Sequence, residues 1–264
     1  MTTFSQHLAL KESVRKGSPV LGLFIKIPAI QVVESLALAG LDFVVLDAEH
    51  AAFGSSELDR CILAGRSVNL PVMVRLREST PAAILQVLDM GAAGVVVPHI
   101  TSAEQAETIV AASRYEGGTR GFSGMHRAAG YGAISTEEFK AASDASTLVI
   151  AQIEDSAGVE NIAEISAVDG IDALLIGPAD LAVSLGVSSP GDPSVQQAID
   201  TILAAAQESG MRSGIFLSGT DQISTYRDKD ASFFIIATDQ GLLVNAATAI
   251  AGQFKSLSGN SNGG

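Results

Sequence analysis

The chain has 264 residues, 47% of them hydrophobic, and carries a formal net charge of −13 with an isoelectric point near 4.6. It is long enough for one large domain or two small ones, and its acidic balance argues against a nucleic-acid partner, which would require clustered Lys and Arg. No apolar run approaches the roughly 20 residues that cross a bilayer, so no membrane span is expected.

Eight short apolar runs follow one another along the chain, with helical patterns between them. The runs are VLGLFIK, DFVVLD, PVMVRL, AGVVVPHI, TLVIAQIE, DALLIGP, RSGIFLS and ASFFIIAT. They are rich in Val, Ile and Leu without polar alternation, as in strands that are covered on both faces. Eight strand–helix units in about 250 residues favour a (β/α)8 TIM barrel over a doubly wound sheet. The absence of both a G-x-G-x-x-G and a P-loop motif removes the best support for a nucleotide-binding fold.

One connection between these units is unusually long. Residues 114–135, RYEGGTRGFSGMHRAAGYGAIS, are rich in Gly and basic within an acidic chain. Loops of that length in compact domains usually have a function, so we expect a flap over the site, a subunit contact, or both. Two alternatives stay open for its basic residues: contact with an acidic substrate or a neighbouring subunit, or an ordinary surface imidazole for His126 and a structural salt bridge for Arg127.

The ends of the chain and its cysteine content predict a cytoplasmic protein. Residues 1–17 lack the charged-then-apolar order of a signal peptide. The single cysteine, Cys61, rules out an internal disulfide, fits a reducing compartment, and lies in a helical pattern that predicts a buried, unreactive thiol. We expect one catalytic domain over residues 1–255 and a flexible, polar C-terminal tail over residues 256–264.

Polar and ionisable residues cluster where the predicted strands end. In a TIM barrel, catalytic groups come from the C-terminal ends of the strands. The residues at those ends are Asp47, Glu49, His50, Arg75, His99, Gln152, Glu154 and Gly177 to Asp180. Each has an ordinary alternative role, such as a helix cap or a solvated charge, but their convergence on one rim predicts an active site.

Two acids of this set, Glu154 and Asp180, predict a divalent-metal site. Mg²⁺ and Mn²⁺ bind carboxylate oxygens and keep positions for water or substrate, and Co²⁺ is a further option. Gly177, Pro178 and Ala179 begin a helix whose free N–H groups can bind a carboxylate. A site of this kind would chelate a 2-oxo acid.

The remaining residues predict charge stabilisation and proton transfer. The guanidinium fork of Arg75 can bind a ligand oxygen where enolate charge develops. His50, oriented by Asp47, is the natural proton shuttle, and Glu49 is expected to support the rim or a subunit contact. Lys26 ends the first strand and leaves a Schiff-base route open, although such an enzyme would not need the paired carboxylates.

Five motifs resemble those of the HpcH/HpaI aldolases, a family of metal-dependent (class II) 2-oxo acid aldolases. The motifs are DFVVLDAEH, PVMVRL, GVVVP, QIE followed by GVENIAEI, and GIDALLIGPADLAVSLG. The likeness extends from about Leu21 to Leu243. It implies a barrel of the phosphoenolpyruvate/pyruvate type that forms a homo-hexamer, a trimer of dimers, with the last helix exchanged between subunits.

The resemblance also implies a reaction: reversible addition of the enolate of pyruvate or hydroxypyruvate to an aldehyde, giving a 4-hydroxy-2-oxo acid in the catabolism of aromatic compounds or sugar acids. By residue it implies metal ligands at Glu154 and Asp180, an enolate stabiliser at Arg75, an acid/base pair of His50 and Asp47, and a pyruvate contact at Gln152. The sequence departs from the family pattern at Ala48, near Lys26 and at His99, positions that border the expected acceptor pocket.

Two other functions remain open. The first is a lyase or synthase that acts on oxaloacetate or a CoA thioester through the same metal enolate; a CoA ester would need a basic groove, for which only residues 114–127 offer basic groups. The second is a non-catalytic protein that binds a 2-oxo acid, against which the intact set of Arg75, His50, Glu154 and Asp180 argues.

Overall fold

The computed structural model describes residues 3–258, and these contain a closed barrel of eight parallel strands arranged in sequence order. The strands are β1 (Val20–Ile25), β2 (Phe43–Asp47), β3 (Val72–Arg75), β4 (Gly94–Val97), β5 (Leu148–Ile153), β6 (Ala173–Ile176), β7 (Ser213–Leu217) and β8 (Phe233–Thr238). Each predicted apolar run contains one of them. The prediction of a (β/α)8 TIM barrel is therefore confirmed.

Helices connect the strands and surround the barrel. They are α1 (Thr3–Lys16), α2 (Ile30–Leu36), α3 (Ser55–Ser67), α4 (Pro81–Met90), α5 (Ala103–Ser113), α6 (Thr136–Ser146), α7 (Ser156–Glu160), α8 (Ile162–Ser166), α9 (Pro178–Ser184), α10 (Pro193–Ser209), α11 (Ile223–Arg227) and α12 (Asp239–Ser258), with short 3₁₀ turns at Ala37–Ala39 and Gly130–Gly132. Pro81, Pro178 and Pro193 occupy the first helical position, where a missing N–H costs nothing.

The strands bury both of their faces, which explains why their sequences are continuously apolar. Outward-facing residues such as Val44 and Leu46 pack against the helices, while inward-facing residues fill the barrel interior, where Phe43 and Phe233 stack at 4.8 Å between ring centroids. Helix α1 lies at the N-terminal end of the barrel, and its Leu10 joins the interior cluster. The opposite, C-terminal end is left for the site.

A buried ion pair fixes α1 to the barrel. Lys11 is 1% exposed, and its ammonium lies 3.1 Å from Oδ2 of Asp172 and donates to the carbonyl of Thr147. Burial lowers the pKa of Lys11, and the charge of Asp172 only partly opposes this effect. Asp172 also accepts hydrogen bonds from Nε of Arg15 at 3.1 Å and from the backbone N–H of Val149 at 3.0 Å.

Replacing Lys11 with Met is expected to lower the free energy of unfolding by about 3 kcal/mol, because it leaves the carboxylate of Asp172 buried with a weaker set of partners. Urea unfolding at fixed protein concentration measures the change. The control is Lys16→Met, which removes an exposed ion pair with Glu12 and should cost about 0.5 kcal/mol or less. Equal losses in the two variants would contradict a structural role for the buried pair.

The last helix, α12, extends beyond the predicted end of the domain. The tail was expected to begin at residue 256, whereas α12 continues through Ser258. No Gly or Pro lies between Gly252 and Gly259, so nothing in the local sequence stops the helix at residue 256. Residues 259–264 of the predicted tail lie outside the described residues. Within residues 3–258, no helix combines the length and apolar character that a membrane span requires.

Outside the site, the structure confirms the predictions for Cys61 and Arg127 and differs from one alternative given for His126. Cys61 is buried in α3, and burial raises the pKa of its thiol to about 11, as expected for an unreactive cysteine. Arg127 of the long loop donates to Oδ2 of Asp59 at 2.8 Å, so the salt-bridge alternative for this residue is confirmed. His126 is a partly buried residue rather than an ordinary surface imidazole: its Nε2 lies 3.4 Å from Oδ1 of Asp89.

Candidate active site

The inward-facing strand positions bring polar side chains to the C-terminal rim of the barrel. Strand side chains alternate between the two faces, so the next inward position after an interior apolar residue lies two residues further on. This step leads from Val45 to Asp47, from Met73 to Arg75, and from Ile150 to Gln152 and then Glu154. The alternation that fills the barrel with apolar groups thereby places these polar groups above them.

A cavity of about 280 Å³ opens at this rim. Its walls contain seven of the nine predicted site residues, His50, Arg75, Gln152, Gly177, Pro178, Ala179 and Asp180, together with Phe24, Lys26, Phe216 and Thr238. The other two, Asp47 and Glu154, are 0% and 1% exposed and contact residues of the wall. The described residues 114–135 contribute nothing to this wall and pack instead on the C-terminal end of α4, so the structure does not show the expected flap; a subunit contact remains a prediction.

Arg75 is held rigidly at the floor of the cavity. It pairs in register with Asp47 of β2, and its Nε and Nη2 donate to Oδ1 and Oδ2 of Asp47 at 3.0 and 2.8 Å. The guanidinium carbon lies 4.5 Å from the ring centroid of Phe24. Burial alone would raise the pKa of Asp47, but the hydrogen bonds and charge of Arg75 outweigh it and hold the pKa below its ordinary value.

His50 is held in a different way from that expected. The sequence predicted that Asp47 orients the imidazole, but Asp47 accepts only the backbone N–H of His50, at 3.1 Å. Both oxygens of Asp47 are engaged by Arg75, whose planar fork matches a carboxylate. The carboxylate nearest to the ring is that of Glu49, whose Oε2 lies 3.7 Å from Nε2 of His50. The half-exposed ring still faces the cavity.

Glu154 is a buried carboxylate in a setting that suits a cation. Nε2 of Gln152 donates to its Oε2. Burial and the charge of Asp180 raise the pKa of Glu154 to about 7, against the opposing effects of Gln152 and His99. A Cβ at Gly177 would lie 2.6 Å from Oε2 of Glu154, so only glycine leaves room for this side chain. A divalent ion would relieve the repulsion between the two acids, and the residues present therefore fit one.

The structure gives a possible ligand role to two rim residues, Glu49 and His99, that the sequence did not assign to the metal site. Glu49, His99 and Glu154 each offer one ligand atom within 4.8 Å of the others, a group that could hold a metal ion. Burial alone would lower the pKa of His99, but the hydrogen bond to Asp155 and the surrounding carboxylates outweigh it and raise the pKa. Glu49 was assigned to the rim and His99 had no assigned role. Their position directly after β2 and β4 was the only signal in the sequence.

A family model described as HpcH/HpaI aldolase/citrate lyase matches residues 21–246. The chain belongs to this family. A 5-keto-4-deoxy-D-glucarate aldolase of Klebsiella pneumoniae is 35% identical over 84% of this chain and 87% of its own length. A hydroxypyruvate/pyruvate aldolase of Roseobacter denitrificans is 32% identical over 93% of this chain and 96% of its own.

Solved structures of similar sequence have the same fold. A family member from Burkholderia cenocepacia superimposes with a TM-score of 0.88 at 31% identity, covering 94% of this chain and 99% of that chain. The citrate synthase SbnG superimposes with a TM-score of 0.86 at 30% identity, covering 95% of this chain and 99% of that chain. The resemblance inferred from the motifs is therefore confirmed.

Proposed function

We propose that this protein is a divalent-metal-dependent aldolase that reversibly adds the enolate of pyruvate or hydroxypyruvate to an aldehyde. The observation that carries the proposal is the buried carboxylate of Glu154 beside the charge of Asp180, at a cavity that also contains the guanidinium of Arg75. The similarity to a hydroxypyruvate/pyruvate aldolase and to sugar-acid aldolases supports the same reaction class.

Glu154 and Asp180 would hold the ion, which we propose to be Mg²⁺ or Mn²⁺, with Co²⁺ as a further option. When bound, it supplies Lewis acidity that makes the C3 protons of a 2-oxo acid easier to remove. The first turn of α9 adds donors for the substrate carboxylate. Because Pro178 has no N–H, Ala179 is the first residue of this turn that can donate.

Arg75 and His50 would act on the substrate itself. Arg75 is fixed by Asp47 and Phe24, so it would meet the developing enolate oxygen without reorganisation. The ring of His50 would remove the C3 proton in synthesis and the hydroxyl proton in cleavage. Nζ of Lys26 lies 3.3 Å from Oδ2 of Asp47. This ion pair favours the charged ammonium, whereas a Schiff base would require the neutral amine.

Enolisation is tested by proton NMR of pyruvate in D₂O. We expect enzyme-dependent exchange of the C3 protons that stops with EDTA and returns with Mg²⁺ or Mn²⁺, because the ion acidifies C3. Borohydride treatment in the presence of pyruvate should leave the protein mass unchanged. Exchange that survives complete metal removal, with a trapped adduct at Lys26, would contradict the metal route in favour of a Schiff base.

A citrate synthase among the structural relatives supports a second candidate, a lyase or synthase acting on oxaloacetate or a CoA thioester. The long loop argues against a CoA site, because its basic groups are already engaged: Arg120 donates to Asp89 at 2.9 Å and Arg127 pairs with Asp59. Product analysis with pyruvate plus aldehydes, and separately with oxaloacetate plus acetyl-CoA, distinguishes the two reactions.

Replacing His50 with Ala should slow C3 exchange on the order of 10²-fold to 10⁴-fold, the usual contribution of a general base. Pyruvate affinity, measured by calorimetry with metal present, should change little, because the ion and Arg75 supply the binding contacts. A non-catalytic binding protein would show no exchange in the wild type and an unaltered ligand response in the variant. Equal exchange rates in the two proteins would remove His50 from the proton-transfer step.

We further propose a cytoplasmic homo-hexamer, a trimer of dimers that exchanges α12. The support is the surface of this helix, which carries large exposed apolar side chains at Leu242, Leu243, Val244, Ile250, Phe254 and Leu257. A monomer rarely leaves so much apolar surface in water. The first residue of α12, Asp239, accepts the backbone N–H groups of Lys26 and Ile27, each at 2.9 Å, so the helix starts at the edge of the site. The reducing cytoplasm suits the free Cys61.

A further inference from the structure

The part of the rim that contains Glu49 and Glu154 also contains the imidazole of His99, which has no role in the proposed aldol reaction. His99 follows β4, and its Nε2 lies 3.2 Å from Oε1 of Glu49, while its backbone N–H donates to Oε1 of Glu154 at 3.2 Å. One donor atom from each of these residues lies within 4.8 Å of the others. Ligands of one ion with bonds of about 2.1 Å lie no more than about 4.2 Å apart, so the three groups would have to close slightly around an ion.

Glu49 brings a largely buried carboxylate to this group, and its two oxygens face different neighbours. Its side chain is only 10% exposed, and its buried Oε2 makes no hydrogen bond within the described residues. The nearest cationic atom is Nε of Arg75, 3.3 Å away, which already donates to Asp47. The other oxygen, Oε1, faces Nε2 of His99, so an ion bound there would help to compensate a buried carboxylate that makes no hydrogen bond through Oε2.

The other face of the imidazole is arranged as in a metal ligand. Nδ1 of His99 lies 2.9 Å from Oδ2 of Asp155. A histidine that binds a metal usually donates its second ring N–H to a carboxylate, which fixes the tautomer and leaves the opposite nitrogen free to coordinate. With Asp155 in this role, Nε2, which lies 3.2 Å from Oε1 of Glu49, would be the nitrogen free to coordinate.

The backbone at His99 is also unusual. Its φ of 57° lies in the left-handed region, which few residues other than Gly and Asn occupy without strain. Such strain is kept where the surrounding structure requires a particular side-chain position. Here it points the N–H of His99 at Glu154 while its ring reaches Glu49 and Asp155.

We propose that Glu49, Nε2 of His99 and Glu154 form a second cation site, which adjoins the Glu154–Asp180 pair and shares Glu154 with it. Its mixed nitrogen and oxygen ligands suit Mn²⁺, Co²⁺ or Zn²⁺ better than Mg²⁺, which prefers oxygen alone. The inference builds on the proposed metal dependence but concerns different residues.

The test uses Asp180→Asn, in which the neighbouring pair has lost one carboxylate. With one equivalent of Mn²⁺ added, electron spin echo spectra should show modulation from a directly bound ¹⁴N. The double variant Asp180→Asn/His99→Asn should lose it, and Asn tolerates the positive φ, so the fold should be kept. The matched control Asp180→Asn/His126→Asn should retain the signal. Absence of nitrogen modulation in Asp180→Asn, or its persistence without His99, would overturn the proposal.

Affinity gives a second readout that does not involve catalysis. In calorimetric titrations with Co²⁺, Asp155→Asn should weaken binding at this site by about 10-fold to 100-fold, as for other carboxylates that orient a ligating histidine. Mg²⁺ binding should change much less, because Mg²⁺ gains little from the imidazole. Equal losses for the two ions would contradict a nitrogen ligand. Failure of metal-dependent C3 exchange in the wild type would count separately, against the aldolase function.

Discussion

Replacing Glu154 with Gln is expected to lower metal-dependent C3 exchange of pyruvate on the order of 10³-fold or more. The amide keeps the size of the side chain but removes the charge that would hold the ion beside Asp180. Loss of an ion that contributes several kcal/mol to the stability of the enolate corresponds to a rate loss of this size. The exchange rate by proton NMR and the Mg²⁺ affinity by calorimetry should both fall.

The control for this change is Glu160→Gln, the same chemical substitution at an exposed position of α7. It should leave both the exchange rate and the Mg²⁺ affinity within about twofold of wild type, as expected for surface substitutions away from the site. A Glu154→Gln variant that exchanged C3 protons at the rate of this control would rule out Glu154 as a required ligand.

The pKa of Glu154 gives the same experiment a pH dependence. Because burial and Asp180 raise this pKa to about 7, the metal-free protein holds a proton on Glu154 at lower pH. A metal ion must displace that proton, so Mg²⁺ affinity should increase about tenfold per pH unit up to pH 7 and then level off. In Glu154→Gln the increase should be absent. Calorimetry at pH 5.5 to 8.5 would reveal either outcome.

Replacing Arg75 with Lys is expected to lower the exchange rate on the order of 10²-fold, the cost of removing one preorganised donor to a developing oxyanion. Lysine keeps the charge, so Asp47 retains a partner and the fold should survive. It cannot hold both oxygens of Asp47 and contact the substrate at the same time, because it lacks the planar fork. Kinetics at saturating pyruvate should show the loss in kcat as well as in kcat/KM.

Arg77→Lys tests whether the effect belongs to the site. Arg77 lies two residues further along and donates to the carbonyl of Ala48 at 3.2 Å, outside the cavity wall. Its replacement should change kcat less than about threefold. If Arg75→Lys altered only KM, the guanidinium would contribute uniform substrate binding rather than enolate stabilisation.

The partner of His50 could not be predicted from the sequence. The order Asp47, Glu49, His50 at the end of β2 suggested a carboxylate–imidazole pair, yet Asp47 binds Arg75 with both oxygens and reaches His50 only through its backbone. The competing partner comes from β3, 28 residues away. Only the strand register, which sets Asp47 opposite Arg75, decides which of the two contacts forms.

The ligand group at Glu49, His99 and Glu154 has the same explanation. Each residue lies one or two positions after the end of a different strand. The sequence therefore predicted that all three lie on one rim, but it could not predict the distances between them. Their approach to within 4.8 Å depends on the loop conformation after each strand, including the left-handed backbone of His99. Non-Gly residues adopt that conformation rarely, and nothing in the local sequence PHI signals it.

The sequence by itself determined the barrel, the rim on which the site lies and the family. Continuous apolar strands, alternating with helices, have few ways to bury both sheet faces, and the two-residue period then carries Asp47, Arg75, Gln152 and Glu154 to one end. The tertiary structure alone decided which side chains pair there, because hydrogen bonds and ion pairs depend on differences of about 1 Å between atoms distant in sequence. The closed barrel and its loops set those distances, and no local sequence pattern predicts them.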